Sequence, residues 1–192
     1  MKQSSSRRKT AAKSKTSSRG RSSSGRRATT SRSRSASRRT PQDAIALLKA
    51  DHREVDVLVQ QFERTRSDRK EAIARRICNA LTVHARIEEE LLYPAARNVL
   101  DRDDTDIVDE ADVEHATIKQ LVTDVESSSP SDALYDAKVK VISEYVKHHV
   151  KEEERELFPK LRRSGLDLQA LGTQLAERKQ ALIQEMEMQG RA

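Results

Sequence analysis

The chain has 192 residues, 35% of them hydrophobic and 3% aromatic, and a formal net charge of +6. That length suits one domain with a tail, and the single cysteine, Cys78, excludes an intrachain disulfide and points to a reducing compartment. No apolar run approaches the roughly 20 residues of a membrane span and there is no signal-peptide apolar region, so no membrane partner is expected.

The charge is divided. Residues 1–40 hold 14 Lys and Arg, thirteen serines and no Asp or Glu, which leaves 23 basic against 31 acidic residues, a net of −8, in the rest. The arm has no Leu, Ile, Val or aromatic residue, so it cannot bury enough apolar surface to offset ordering entropy and is expected to be disordered. Basic residues interleaved with Ser and Gly suit non-specific binding to nucleic acid through phosphate contacts and counterion release. A mitochondrial presequence is disfavoured, since the arm lacks the Leu and Phe of an amphipathic face.

The body reads as helices. Thr40 suits an N-cap, Pro41 the first helical position and Asp43 the positive helix end. Ile45, Leu48, His52, Val55, Val59 and Phe62 then follow at spacings of 3 and 4 in a first helix to about Thr65. A second helix over about Ser67 to Val99 carries Ile73, Ile77, Leu81, His84, Glu88 and Leu91, and Pro94 should loosen its last turn. An acidic loop, Asp101 to Asp106, leads to a third helix ending near Glu126, with Val108, Ala111, His115, Ile118, Val122 and Val125 on one face.

Ser127 to Pro130 breaks the chain, and Ser131 can cap a fourth helix with Leu134, Ile142, Tyr145, Val146, His149, Glu153 and Leu157, ending near Gly165. A fifth segment with Leu168, Leu171, Leu175, Leu182 and Met186 suits a helix across the bundle end. The expected fold is all-α: an up-down-up-down four-helix bundle over residues 41–163, a short C-terminal helix in 164–192 and a basic tail over 1–40.

The histidines repeat. His52 is followed after 32 residues by His84, and His115 after 34 by His149. Asp51-His52 echoes Glu114-His115, and His84-x-x-x-Glu88 running to Leu92-Tyr93-Pro94 echoes His149-x-x-x-Glu153 running to Leu157-Phe158-Pro159. An i, i+4 pair puts imidazole and carboxylate on one helix face, so that a carboxylate can bridge from its neighbour's ion to another. A lone histidine on an apolar stripe is most often core packing. Four of them with two carboxylates, which would be costly to bury unpaired, point instead to a metal site made by His52, His84, Glu88, His115, His149 and Glu153.

The repeat register favours His149 over His148, which is left as an exposed or neighbouring group. Glu89, Glu90 and Glu154 are expected on solvated faces. Tyr145 should face near the site as core packing, and Cys78 should be a buried small hydrophobe.

These motifs together resemble the hemerythrin-like, or HHE cation-binding, family over about residues 41–162. The resemblance implies two non-haem irons per chain, oxo- or hydroxo-bridged, with the four histidines as terminal ligands and Glu88 and Glu153 as bridges. Manganese and zinc suit the same ligand types. Oxygen-carrying members have a further histidine where this chain has Lys119, and commonly an aspartate where it has Glu153. The four-His, two-Glu set looks more like bacterial members linked to repair of iron–sulfur centres under nitrosative and oxidative stress.

Such a set leaves about two positions of an octahedral iron pair open, which favours reactivity toward O2, NO or peroxide over clean oxygen carriage. No hydrolytic triad is evident. The expected function is a cytoplasmic, nucleoid-associated di-iron protein that binds or senses O2, NO or iron in stress protection. The alternative is a DNA-associated structural protein whose bundle uses metal only for stability.

Overall fold

A computed structural model describes residues 43–66 and 69–190. The basic tail and the Thr40–Pro41 start signal lie outside the described residues. Among those described, all regular structure is helical: α1 (Ala44–Arg64), α2 (Lys70–Ile87), α3 (Tyr93–Val99), α4 (Arg102–Glu126), α5 (Tyr135–Glu152), α6 (Phe158–Arg163) and α7 (Leu168–Met188). A π-helical turn, Glu88–Leu92, joins α2 to α3 and another, Glu153–Leu157, joins α5 to α6. The bundle therefore consists of α1, α2–α3, α4 and α5–α6, with α7 added.

Helix starts and stops differ in detail from expectation. Asp43, in extended conformation, caps α1, and its carboxylate accepts from the Ala46 N–H at 2.8 Å. This satisfies one of the N–H groups orphaned at a helix start, and α1 follows from Ala44. The stretch expected as an acidic loop is helical from Arg102, with Asp103 and Asp104 in the first turn, where negative charge complements the helix dipole. Ser131 caps nothing: Leu134 holds the N-cap position of α5 and is 65% exposed, outside the stripe expected to bury it. Gly165, with φ of +82°, turns the chain after α6, a conformation glycine adopts without a Cβ penalty.

The core falls into two clusters. One holds Ile45, Leu48, Ile87, Tyr93, Val108, Phe158 and Leu161; the other holds Val55, Phe62, Ile77, Leu81, Ile118, Val122, Val139 and Ile142. On the long helices of the bundle the histidine lies near the change from one cluster to the other in sequence, so the polar groups form a layer between two aliphatic plugs. Truncating a plug is costly: Leu48→Ala, at a fully buried position, is expected to destabilise by about 2–5 kcal/mol in chemical denaturation.

Both π turns follow a histidine and contain the candidate bridging glutamate. Their closing bonds run from Tyr93 N–H to Glu88 O and from Phe158 N–H to Glu153 O. Pro94 and Pro159 come next, and proline lacks the N–H that α-helical bonding would use there. The wider turn inserts an extra residue and rotates everything after it. The buried positions after Glu88 are Leu92, Tyr93 and Ala96; after Glu153 they are Leu157, Phe158 and Leu161. Leu91, expected on the stripe, is only partly buried for that reason.

α7 does not cross the bundle end. It lies lengthwise over the groove between α1 and α2, with Leu171, Leu175 and Leu182 in the first cluster. Its Lys179 meets Asp51 at 2.6 Å, and its Arg178 meets Glu90 at 3.1 Å.

Candidate metal centre

The residues picked out by the repeat converge from four helices. Nε2 of His52 (α1) lies 3.2 Å from Nε2 of His84 (α2), and Nε2 of His115 (α4) lies 3.0 Å from Nε2 of His149 (α5). The two glutamates span these pairs. Glu88 Oε2 is 3.1 Å from His84 Nε2 and 3.4 Å from His115 Nε2. Glu153 Oε2 is 3.3 Å from His52 Nε2 and 3.6 Å from His149 Nε2. Each carboxylate thus touches one imidazole of each pair. All six side chains are buried.

A carboxylate stands behind every ring. His52 Nδ1 meets Glu154 Oε1 at 3.0 Å, His115 Nδ1 meets Glu89 Oε1 at 3.1 Å, and His149 Nδ1 meets Glu114 Oε2 at 2.8 Å. His84 Nδ1 faces Asp51 Oδ2 at 3.7 Å, beyond hydrogen-bond length. Nδ1–H donation to these acids places the proton on the outer nitrogen and turns the Nε2 lone pair inward. The hydrogen bond from His115 holds Glu89 down at about 2, so it stays an acceptor.

Glu89 and Glu154 are therefore not simply solvated. The pattern obeys the repeat: the acid preceding His52 or His115 serves His84 or His149, and the acid after Glu88 or Glu153 serves a histidine of the other half. Glu90 is exposed and pairs there with Arg86 and Arg178.

The site tyrosine is Tyr93. Its hydroxyl donates to Glu153 Oε1 at 3.2 Å and lies 3.2 Å from His115 Nε2. Burial and the nearby Glu153 and Glu88 carboxylates push the phenol well above its usual range, so it keeps its proton. Phe158, its match in the repeat, stacks on His52 with ring planes 5° apart. Tyr145, expected near the site, is 45% exposed. The buried face of α5 is centred on Ile142, Val146 and His149, which leaves Tyr145 on the outer edge with Val141 and His148. Cys78 is buried in the aliphatic cluster.

The donor set suits cations. Burial lowers His84 to about 4, so that imidazole is neutral and able to ligate. Burial, and then the facing Glu153 carboxylate, pushes Glu88 well above the usual carboxylate range. Both Glu88 oxygens and Glu153 Oε2 are buried without a hydrogen-bond donor. The orphaned Glu88 carboxylate, packed against imidazole nitrogens, is costly in a low-dielectric interior, and a metal ion removes that cost.

The fold and this cluster define a metal-binding helical bundle whose imidazole and carboxylate groups suit a metal ion such as iron. The family model described as the hemerythrin HHE cation binding domain matches residues 43–161, and the chain belongs to that family. A DNA nickase from Nostoc sp. strain PCC 7120 is 30% identical over 117 residues, which make up 60% of this chain and 32% of that protein. The chain thus spans about a third of the curated relative it matches. The crystal structure of a hemerythrin HHE cation binding domain-containing protein from Mycobacterium kansasii aligns with a TM-score of 0.67 at 22% identity. That alignment covers 78% of this chain and 93% of that one, and shows a common fold. Among the described residues no helix is long and apolar enough to cross a membrane.

Proposed function

We propose that the chain is a non-haem di-iron protein that binds or senses O2, NO or iron next to nucleic acid, where residues 1–40 hold it, within a reducing cytoplasm. The reading rests above all on the two buried glutamates, each lying against one imidazole of each histidine pair. His52, His84, Glu88, His115, His149 and Glu153 would hold the two ions. An iron pair supplies ligand binding and electron exchange with small oxidants. The protein's own groups orient the rings, keep Tyr93 protonated against Glu153 and exclude bulk water.

The enclosure sets the size of the ligand. A cavity of about 10 Å³ lies against the four imidazoles, walled by Val55, Leu81, Ile118, Val146 and Val150. It takes roughly one water-sized molecule, which suits O2, NO or peroxide.

Two findings support the link to nucleic acid: the 14 basic and no acidic residues of positions 1–40, and the name of the Nostoc relative. If the tail engages about 6–10 phosphates, affinity for random DNA falls roughly 10³–10⁵-fold between ~50 and ~200 mM salt. Deleting residues 1–40 is expected to abolish the gel shift; a shift retained by the truncated chain would sink the tethering.

Metal analysis and visible spectra of anaerobically purified protein, before and after O2, NO and azide, test the centre. About two irons per chain and a spectrum perturbed by these molecules are expected, both lost in His84→Ala combined with Glu88→Ala. Bound metal that ignores all three molecules would favour a bundle that uses metal for stability alone.

A further inference from the structure

Of the four carboxylates that stand behind the buried rings, three are neutralised by a lysine. Asp51 meets Lys179 at 2.6 Å, Glu154 meets Lys49 at 2.9 Å and Glu89 meets Lys119 at 2.8 Å. Glu114 is the exception. Its Oε2 accepts from His149 Nδ1, while its Oε1 faces outward, 3.5 Å from Nε2 of His148. His148 Nε2 is in turn 3.1 Å from Glu152 Oε1. Among the described residues, histidines are the only cationic partners of Glu114 and Glu152. Two carboxylates and a 59%-exposed imidazole therefore share one patch, and among the described residues no lysine or arginine pairs with either carboxylate.

The repeat explains why this patch is open. Setting His149 on His84 and His115 on His52 places His148, Glu152 and Glu114 on Val83, Ile87 and Asp51. In the first half, Val83 and Ile87 are buried in the cluster that holds Leu171, Leu175 and Leu182 of α7, and α7 supplies Lys179 to Asp51. Among the described residues no helix covers the matching face of α4 and α5. Two apolar positions there are replaced by a histidine and a glutamate at ligand spacing, where the other half has its lysine.

We propose that Glu114, His148 and Glu152 form an outer site for a divalent transition ion, a cation that takes the place of the missing lysine. Their ligand atoms lie within 4.8 Å of one another. One imidazole with two carboxylates suits Zn2+, Mn2+ or Fe2+, with water completing the coordination. Solvent access makes the ion exchangeable, unlike one enclosed by the inner ligands. Glu114 couples the sites: an ion on Oε1 draws charge from the carboxylate that accepts from His149 Nδ1, so outer occupancy alters the basicity of an inner imidazole.

The test is a Zn2+ titration of the iron-loaded full-length protein, followed by calorimetry, by iron retained and by the iron absorption band. Wild type is expected to take up about one Zn2+ per chain without losing iron, and its band to shift. His148→Ala, at an exposed position that leaves the core intact, should lose both responses. Glu152→Gln should weaken uptake roughly tenfold or more. No uptake by wild type, or equal uptake by His148→Ala, overturns the outer site. His148-dependent Zn2+ uptake by a chain that holds no inner iron would support the outer site while refuting the di-iron reading.

Discussion

Glu88→Gln is expected to abolish metal binding and, at the same time, to raise the thermal stability of the metal-free protein. Both effects come from the same burial. Glu88 is fully enclosed, neither oxygen has a donor, and it faces Glu153 across the site. Without a cation the carboxylate is a buried acid beside another, and replacing it with a neutral amide of the same shape removes repulsion and desolvation cost. The gain should be about 1–3 kcal/mol, within the range seen when buried charges are replaced by neutral groups.

The pH dependence has a definite sign. Glu88 is raised in the folded state, so folded protein holds its proton more tightly than unfolded chain does, and that favours the metal-free fold at low pH. The contribution is lost as pH rises past the ordinary carboxylate value of 4.5 toward the raised one. The margin of Glu88→Gln over wild type, both in chelator, should therefore widen from about pH 4.5 toward neutrality. Calorimetry across that range checks it. A metal-free variant less stable than wild type at neutral pH would mean that Glu88 contributes to the fold without metal, and that its burial is not a cost a cation relieves.

Much of the fold was legible because each bundle helix carries one apolar stripe interrupted by one histidine. The stripe read for α4 matches its buried residues throughout. The choice of His149 over His148 also came from the repeat, and the structure buries His149 and exposes His148. One thing that escaped depended on a change of helical period. At about 100° per residue, Tyr93 lies roughly 180° around the helix from His84, so ordinary periodicity points it away from the site. The π turn over Glu88–Leu92 adds a residue and brings it round. Pro94 marked the disturbance, but its chain position could not tell a widened turn from a kink.

The outer carboxylates were hidden for a different reason. Runs such as Glu88-Glu89-Glu90 are ordinary on solvated helix faces, and Glu89 does lie on the helix rim. Its role comes from α4, which brings His115 Nδ1 to it across the bundle. Only the recurrence of a second acid after each bridging glutamate carried a signal. The course of α7 was likewise illegible, because its apolar spacing suits either an end cap or a groove. Lys179 and Arg178, which tie it to Asp51 and Glu90, looked like any exposed charges.

Those rim acids carry the second large effect expected. Glu89→Ala combined with Glu154→Ala should leave the bundle folded but bind metal much more weakly. The lost ion pairs with Lys119 and Lys49 are at the surface and contribute little to stability. The lost acceptors matter more. Without them the Nδ1–H groups of His115 and His52 have no fixed partner, the tautomer that turns each lone pair inward is no longer enforced, and both rings become less basic. Removing one such partner typically weakens affinity 10–100-fold. The two acids serve different histidine pairs, so the double variant should lose more than either single one; the pairs share Glu88 and Glu153, so the two losses should couple rather than simply add. Lys119→Ala separates orientation from charge, since it removes the lysine and leaves Glu89 on His115; it should change affinity only a few-fold. Competition against a chelator measures all three variants. Wild-type affinity in the double variant would mean that packing alone, chiefly Phe158 on His52 and Tyr93 beside His115, holds the rings for the metal.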